Sequence, residues 1–549
     1  MFVPGVTFTT RQPATGGLST RADVAMFVGC VGRRAASLPQ PVADALAAGG
    51  WRPGGLFRTT AAQLVSLLDL PVPVTSWAEF DALYAWDERP AAPGSADLLP
   101  CPLGLAVKSF FEAGGAKAYV VRTGDPLPLV GATPDATIAA KLALLAWPPA
   151  KPPADAADRV PILAGFGGAG KAADPGDPAT WSGAASIYAI EDAAILLLPD
   201  LAEIAAGAPR PVPPIPEVPG PPEQFLPCAQ PSPDAVPEPR VDRPDYLAPR
   251  LDRPGYKLWA AILAATLDLL SLPRGPAHRR DVMLVSALPL PLDDGGFDKS
   301  EENWPLAILA EPGIPAPGVA LLDAASIGHP RLQLGYPWIA TDASIDMPEG
   351  LQSPEGLLAG LIAARSLSGG AFLSAAGQAV RAIKRVQPEL AGSDINRGLP
   401  QGADWLGDRL CLIAPQRGRI ELVSDSTMAD DARLRAGGVS RLTGIILRAA
   451  RHLGEDLLFE PSGPLLWSRI RAAVEGLLER LWERGALDGA TRDAAYSVRC
   501  DESTMNQADI DNGRVICTIA FTAAYPIERI EVTLLLLEPP SSALVRDAA

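Results

Sequence analysis

Histidine is nearly missing from this chain: His278, His329 and His452 are the only three in 549 residues. They stand far apart in sequence, so a histidine-based triad or metal site has little to draw on. Cysteine is almost as scarce. Cys30, Cys101, Cys228, Cys411, Cys500 and Cys517 are scattered with no short pair, a distribution that signals neither a zinc site nor a disulfide scaffold. Free thiols in a reducing cytoplasm are the expectation, because disulfides persist in oxidising compartments. No run approaches the roughly 18 uninterrupted apolar residues that span a bilayer. Met1-Phe2-Val3-Pro4-Gly5-Val6 lacks the charged region and apolar core of a secretory signal. The sequence therefore predicts synthesis in a cytoplasm, with no direct membrane insertion. Blocks of Lys and Arg are lacking too, and the formal net charge of −16 argues against binding nucleic acid through its phosphates.

What is present suits a globular protein. Hydrophobic residues make up 48% and charged residues 20%, ample for several cores, and 549 residues suggest about three folded units. Val6 and Phe8 alternate with Thr7 and Thr9 as a short strand with one apolar face, followed by a flexible Thr15-Gly16-Gly17 joint. Residues 24–31 form a continuous apolar run suited to a strand buried on both faces. Ser76, with Glu79 three residues on, predicts a capping box opening a short helix. A helix over 103–113 stops at Gly114-Gly115, and Ala118-Tyr119-Val120-Val121 reads as a strand; helix, double glycine, strand is the rhythm of an α/β sheet. Further strands are expected at 193–198 and 281–288, and a helix at 256–272. Between Pro209 and Pro254 stand 16 prolines in 46 residues, which excludes helix interior and central strand.

The last 110 or so residues are the most regular. Pro464 sits in the first turn of a helix whose apolar stripe is Leu466, Trp467, Ile470, Ala473, Val474, Leu477, Leu478 and Leu481. Its other face carries Arg469, Arg471, Glu475, Glu479, Arg480, Glu483 and Arg484, and Gly485 ends it. Val515, Cys517, Ile519 and Phe521 alternate as a strand after Asp511-Asn512-Gly513, and 529–537 is the last strand before Pro539-Pro540.

Two segments approach known chemistries and fall short. Gly165-Phe166-Gly167-Gly168-Ala169-Gly170-Lys171-Ala172 nearly spells a phosphate-binding loop, but Ala172 replaces the hydroxyl that holds magnesium. Asp174-Pro175-Gly176-Asp177-Pro178 also forbids the helix whose N-terminus would face the phosphates. Asp509-Ile510-Asp511-Asn512-Gly513 resembles a calcium loop without its closing glutamate, Ile519 standing there; a turn is expected. Acidic residues are too many and too dispersed to nominate a catalytic pair. No catalytic, cofactor-binding or metal residue is nominated, no cofactor is expected, and the chain is not expected to be an enzyme.

Several segments, in order, resemble the contractile phage tail sheath family. These are Pro4-Gly5-Val6, then Phe27-Val28-Gly29, and Pro73-Val74-Thr75-Ser76-Trp77-Ala78-Glu79-Phe80. Next come Ser109-Phe110-Phe111-Glu112-Ala113-Gly114-Gly115 with Val120-Val121-Arg122, and Tyr336-Pro337-Trp338. The closest resemblance runs from Phe459-Glu460-Pro461 through Gly485-Ala486-Leu487-Asp488-Gly489 and Val498-Arg499-Cys500-Asp501 to Asp509-Ile510-Asp511-Asn512-Gly513-Arg514. The sequence departs from the family at 422–428 and at an arginine element, spread here over Ser440-Arg441-Leu442 and Leu447-Arg448-Ala449-Ala450-Arg451.

The resemblance implies an α/β (α+β) multidomain tail-sheath fold: a mixed α/β core, outward insertions and terminal arm strands. The expected division is an N-terminal arm and linker over 1–22, core over 23–126, an insertion over 127–184, and a core strand segment over 185–205. A proline-rich insertion follows over 206–254, core over 255–430 and the C-terminal sheath domain over 431–549. The implied function is structural: six-fold rings stacked as a helical tube around an inner tube, which the sheath drives through a target envelope on contracting. The implied partners are the chain itself, the inner tube protein, and baseplate and tail-terminator proteins, in a phage tail or phage-tail-like particle that is assembled in the bacterial cytoplasm and open to release outside the cell. Val3, Val6 and Phe8, and Ile530, Val532, Leu534 and Leu536, become inter-subunit arm strands. Arg469, Arg471, Glu475, Glu479, Arg480 and Glu483 become the inner-tube contact, where the bland reading is an ordinary amphipathic surface helix. The alternatives are a nucleotide-binding enzyme using the Gly165–Lys171 loop and a proline-rich surface adhesin or decoration protein.

Overall fold

The computed structural model describes residues 22–34, 37–131, 181–206, 209–212, 246–271, 279–292, 327–390, 406–416, 418–457, 460–511 and 514–525, with short pieces at 166–167, 171–172, 177–178 and 395. Its centre is an eight-stranded sheet built from β1 (Ala25–Cys30), β2 (Val72–Val74), β3 (Ala118–Gly124), β4 (Ile195–Leu197), β5 (Met283–Ala287), β6 (Leu332–Tyr336), β7 (Cys411–Gln416) and β8 (Arg419–Leu422). The spatial order is β8-β7-β6-β5-β4-β1-β3-β2. From β7 to β3 every neighbouring pair is parallel, and β8 and β2 close the two edges antiparallel.

The apolar runs become strands because both faces of the sheet are covered. Met26 and Val28 of β1 join the core on one side, with Leu196, Leu284 and Leu412. Ala25 and Phe27 join the other, with Ile195, Val285 and Ile413. This is the period of two that a pleated strand imposes. The helix α2 (Arg253–Ser271) fills the first side with Tyr256, Trp259 and Leu263, beside the buried 3₁₀ turn Gly183–Ala189. On the second side lie α1 (Pro102–Glu112) and α3 (Glu355–Ser368). These two meet at Gly356 and Gly360, one turn apart, where a Cβ would overlap the carbonyls of Ala106 and Phe110. Gly114, at φ +100°, ends the α1 segment in the left-handed region that only glycine enters freely.

The helix over Trp77–Leu83 starts at Ser76, whose Oγ accepts from Glu79 N at 3.3 Å. The return bond of the expected capping box is made one residue earlier, since Glu79 Oε2 accepts from Thr75 N at 2.7 Å. The complete box is at Thr60 and Gln63.

The chain then leaves the sheet for a smaller unit. It comprises α4 (Gly437–Asp456), α5 (Pro464–Glu483) and a hairpin of β9 (Tyr496–Arg499) with β10 (Thr518–Phe521). Its core joins Val439, Leu442 and Ile446 of α4 to Val474, Leu477, Leu478 and Leu481 of α5. The strand expected from Val515 begins three residues later, at Thr518, and its partner β9 was not foreseen.

Candidate assembly surface

On α5, Leu466, Trp467, Val474, Leu477, Leu478 and Leu481 are buried, so the stripe is the face turned to α4 and the hairpin. Arg469, Arg471, Arg480 and Glu483 on the opposite side are exposed, and Glu475 and Glu479 are half-buried. Part of this charge is answered within the subunit: Arg469 pairs with Glu460, Glu479 with Arg492, and Arg471 Nε lies 3.9 Å from Glu475 Oε1. Beside α5, the hairpin turns Tyr496, Val498, Ile519 and Phe521 inward and leaves Ser497, Arg499, Thr518 and Ala520 outward or exposed. Among the described residues neither strand pairs with a third, so both edges present unpaired backbone groups.

This unit is fastened to the sheet by three arginines of α4. Arg441 forks onto the fully buried Asp425, Nη2 to Oδ2 at 2.6 Å and Nη1 to Oδ1 at 3.0 Å. Asp425 also accepts from Gln333 Nε2 and from Ala375 N, each at 2.8 Å. Gly437 lies so close that a Cβ would overlap this carboxylate. About two and nearly three turns of helix further on, Arg448 Nε and Arg451 Nη2 reach Asp281 at 3.2 and 3.0 Å, and Arg279 Nη2 reaches it at 3.2 Å. Asp281 stands two residues before β5, so the contact runs from the helix to the edge of that strand. The neighbouring guanidiniums hold both aspartates below the usual carboxylate range against the opposing effect of burial. Burial lowers Arg279, which also donates to the Ala193 carbonyl at 2.6 Å.

Residues 434–535 match the family model for the phage tail sheath C-terminal domain, which takes in α4, α5 and the hairpin. This stretch of the chain therefore carries the sheath family's C-terminal domain. No match was found among curated proteins. Among solved structures, a chain of the anti-feeding prophage baseplate in the contracted state is similar at TM-score 0.56 and 18% identity, over 100% of both chains. A chain of the six-fold symmetrised baseplate of the same particle is similar at 0.52 and 17%, over 98% of this chain and 100% of that one. Its helical sheath in the contracted state is similar at 0.50 and 16%, over 97% and 99%. At these identities the likeness is one of fold.

The expected arm residues Val3, Val6 and Phe8 and Ile530, Val532, Leu534 and Leu536 lie outside the described residues. The match to the sheath domain nevertheless runs on to residue 535. The glycine-rich segment is not the start of a phosphate-binding strand–loop–helix: Phe166–Gly167 pairs antiparallel with Lys171–Ala172. Neither this pairing nor any of the similar proteins supports the nucleotide alternative. Doubly wound sheets take ligands beyond the carboxyl ends of their strands. At that end of the sheet Asp200 Oδ2 accepts from Cys30 N at 2.6 Å and Arg89 forks onto Glu203 at 2.8 and 2.5 Å, and these residues line a small pocket with Pro102, Leu127 and Ile204. Asp509, read as a turn residue, belongs to the short helix Gln507–Asp511 and pairs with Arg514 at 3.1 Å. Among the described residues no group of three or more His, Cys, Asp or Glu could hold a metal ion, and no helix is long and apolar enough to cross a membrane.

Proposed function

We propose that the chain is the sheath subunit of a contractile injection machine, polymerising as six-fold rings in a helical tube around an inner tube. The observation that carries this is the sheath C-terminal domain itself: a compact unit with an open-edged hairpin, held to the α/β core by buried charge rather than by a flexible tether. Terminal arms from neighbouring subunits add strands to that hairpin. Each added main-chain hydrogen bond contributes about 1 kcal/mol net, so half a dozen hold subunits together while their bodies rotate. The exposed Arg469, Arg471, Arg480 and Glu483 face the inner tube. Exposed ion pairs are worth roughly 0–1 kcal/mol, weak enough to release on contraction. Baseplate and terminator proteins complete the particle, and the subunit does its work by shape change, without turnover of a substrate.

Negative-stain microscopy of the chain expressed with its genomic neighbours tests the reading. Striated tubes of sheath diameter are expected. Discrete soluble particles and no tubes, with every component expressed, would overturn it.

A further inference from the structure

Two thiols far apart in sequence meet at the base of the hairpin. The β9–β10 ladder runs from Tyr496 opposite Phe521 to Arg499 opposite Thr518. The next opposed positions are Cys500 and Cys517. Both return to the inner side of the hairpin, against Leu466, Trp467 and Met505. Cys500 is 2% exposed and Cys517 is half-buried, so one sulfur is reachable from solvent and the other lies behind it. The thiols are close enough to shift one another's ionisation. Directly opposed residues of an antiparallel pair have Cβ atoms about 4.5–5.5 Å apart, and a disulfide wants about 3.5–4.5 Å, a difference that small backbone movement closes. The other described cysteines are engaged elsewhere. Cys30 Sγ faces Thr123 Oγ1 at 3.7 Å, Cys101 Sγ accepts from Gly104 N, and Cys411 Sγ donates to the Ser426 carbonyl at 3.2 Å.

We propose that Cys500 and Cys517 form a redox modification site, a thiol pair that a small-molecule disulfide converts to a cross-strand disulfide closing the hairpin. The Cys517 thiolate attacks one sulfur of the oxidant, releasing one thiolate and leaving a mixed disulfide on Cys517. Cys500 then loses its proton and attacks the Cys517 sulfur, expelling the second thiolate. Two protein thiols and one disulfide become one protein disulfide and two small thiols. Burial raises both groups, Cys517 to about 11, so little thiolate exists near neutrality and the pair stays reduced where reductant is abundant. The oxidised form ties the start of β10 to the end of β9. If the chain is a sheath subunit, this stiffens the strand-accepting hairpin once a particle meets an oxidising medium; that clause rests on the proposed function, and the chemistry does not.

The full-length Cys228→Ser subunit, which lacks the cysteine outside the described residues, is incubated with oxidised glutathione at about pH 7 and about pH 9, acid-quenched and mapped by mass spectrometry. The expected result is loss of two hydrogens, one linked peptide pair holding Cys500 and Cys517, and a rate rising about tenfold per pH unit below the Cys517 ionisation. With Cys500→Ala added, glutathione should remain on Cys517 as a stable adduct. The linked form should also melt several degrees higher than the reduced form, a shift absent from the Cys500→Ala protein. A glutathione adduct on Cys517 that never resolves in the presence of Cys500, or first linkage among Cys30, Cys101 and Cys411, overturns the assignment. The mapping uses the unassembled subunit, so its failure is distinct from a failure to form tubes.

Discussion

Asp425 receives four strong donations, two from Arg441 and one each from Gln333 and Ala375, with its side chain wholly out of water. Such a carboxylate is costly to strand, and removing one partner of a buried pair costs about 3–5 kcal/mol. Arg441→Met alone should therefore lower unfolding free energy by about that much in denaturant titrations. The double variant Arg441→Met with Asp425→Leu should recover a large part; equal damage in the two would mean that packing, not charge, holds the joint. The aspartates also set an acid limit. Asp281 and Asp425 are held below their unfolded values, so their contribution is complete above about pH 4 and is lost as pH falls through the folded values. Asp200 and Glu355 act in the opposite sense. Burial pushes them up to about 7 and about 8, so the folded chain keeps protons that the unfolded chain gives up above about pH 4. Stability therefore drains away as pH rises toward those values. The thermal midpoint should be highest in mildly acidic buffer and lower at about pH 8. Asp200→Asn, whose carbonyl can still accept from Cys30 N, should shrink that fall; an unchanged pH profile would remove Asp200 from the account.

The elements with local signatures were legible before the fold was known. The α5 stripe from Leu466 to Leu481 repeats every 3.6 residues over about four turns, and β1 and β4 lie in unbroken apolar runs of strand length. What decides the sheet order is pairing between segments up to hundreds of residues apart, and no local pattern encodes that β4 lies between β1 and β5. The α4 anchor was hidden for a different reason. Arginines on a helix ordinarily mark a solvated face; Arg441 and Arg448 are buried, and Arg451 half-buried, only because Asp425 and Asp281, distant in sequence, come to meet them. Cys500 and Cys517 were read as unrelated because the helix and turn between them separate what the hairpin rejoins. The contact of α1 with α3 can be tested against helix propensity alone. Gly360→Ala favours an isolated helix by about 1 kcal/mol, yet its methyl would strike the Phe110 carbonyl, and overpacking costs about 1–3 kcal/mol. A net loss of stability is expected; a more stable protein would mean that the two helices part easily.

At the scale of the whole molecule, folding alone and building the proposed tube would make different demands on the same chain. The core closes through its own two layers, and the sheath C-terminal domain is locked to it through α4. The N-terminal arm expected over 1–22 has Val6 and Phe8 on the apolar face of its strand, at most roughly 2–3 kcal/mol each to bury. In a lattice the same strand would be repeated at every subunit contact, so its loss multiplies. Deleting residues 2–17 should leave a soluble protein whose thermal midpoint matches the full chain and which forms no tubes under the microscope. Val6→Pro should come close to this result, since it removes one ladder donor and fixes φ. Lengthening the Gly16-Gly17 joint should permit assembly but reduce the fraction of tubes that reach the short, wide state, because tethered subunits no longer move as one sheet. If the deleted protein builds tubes that contract normally, strand exchange through this arm is wrong for this chain, and the hairpin edges of β9 and β10 must be served by the C-terminal segment alone.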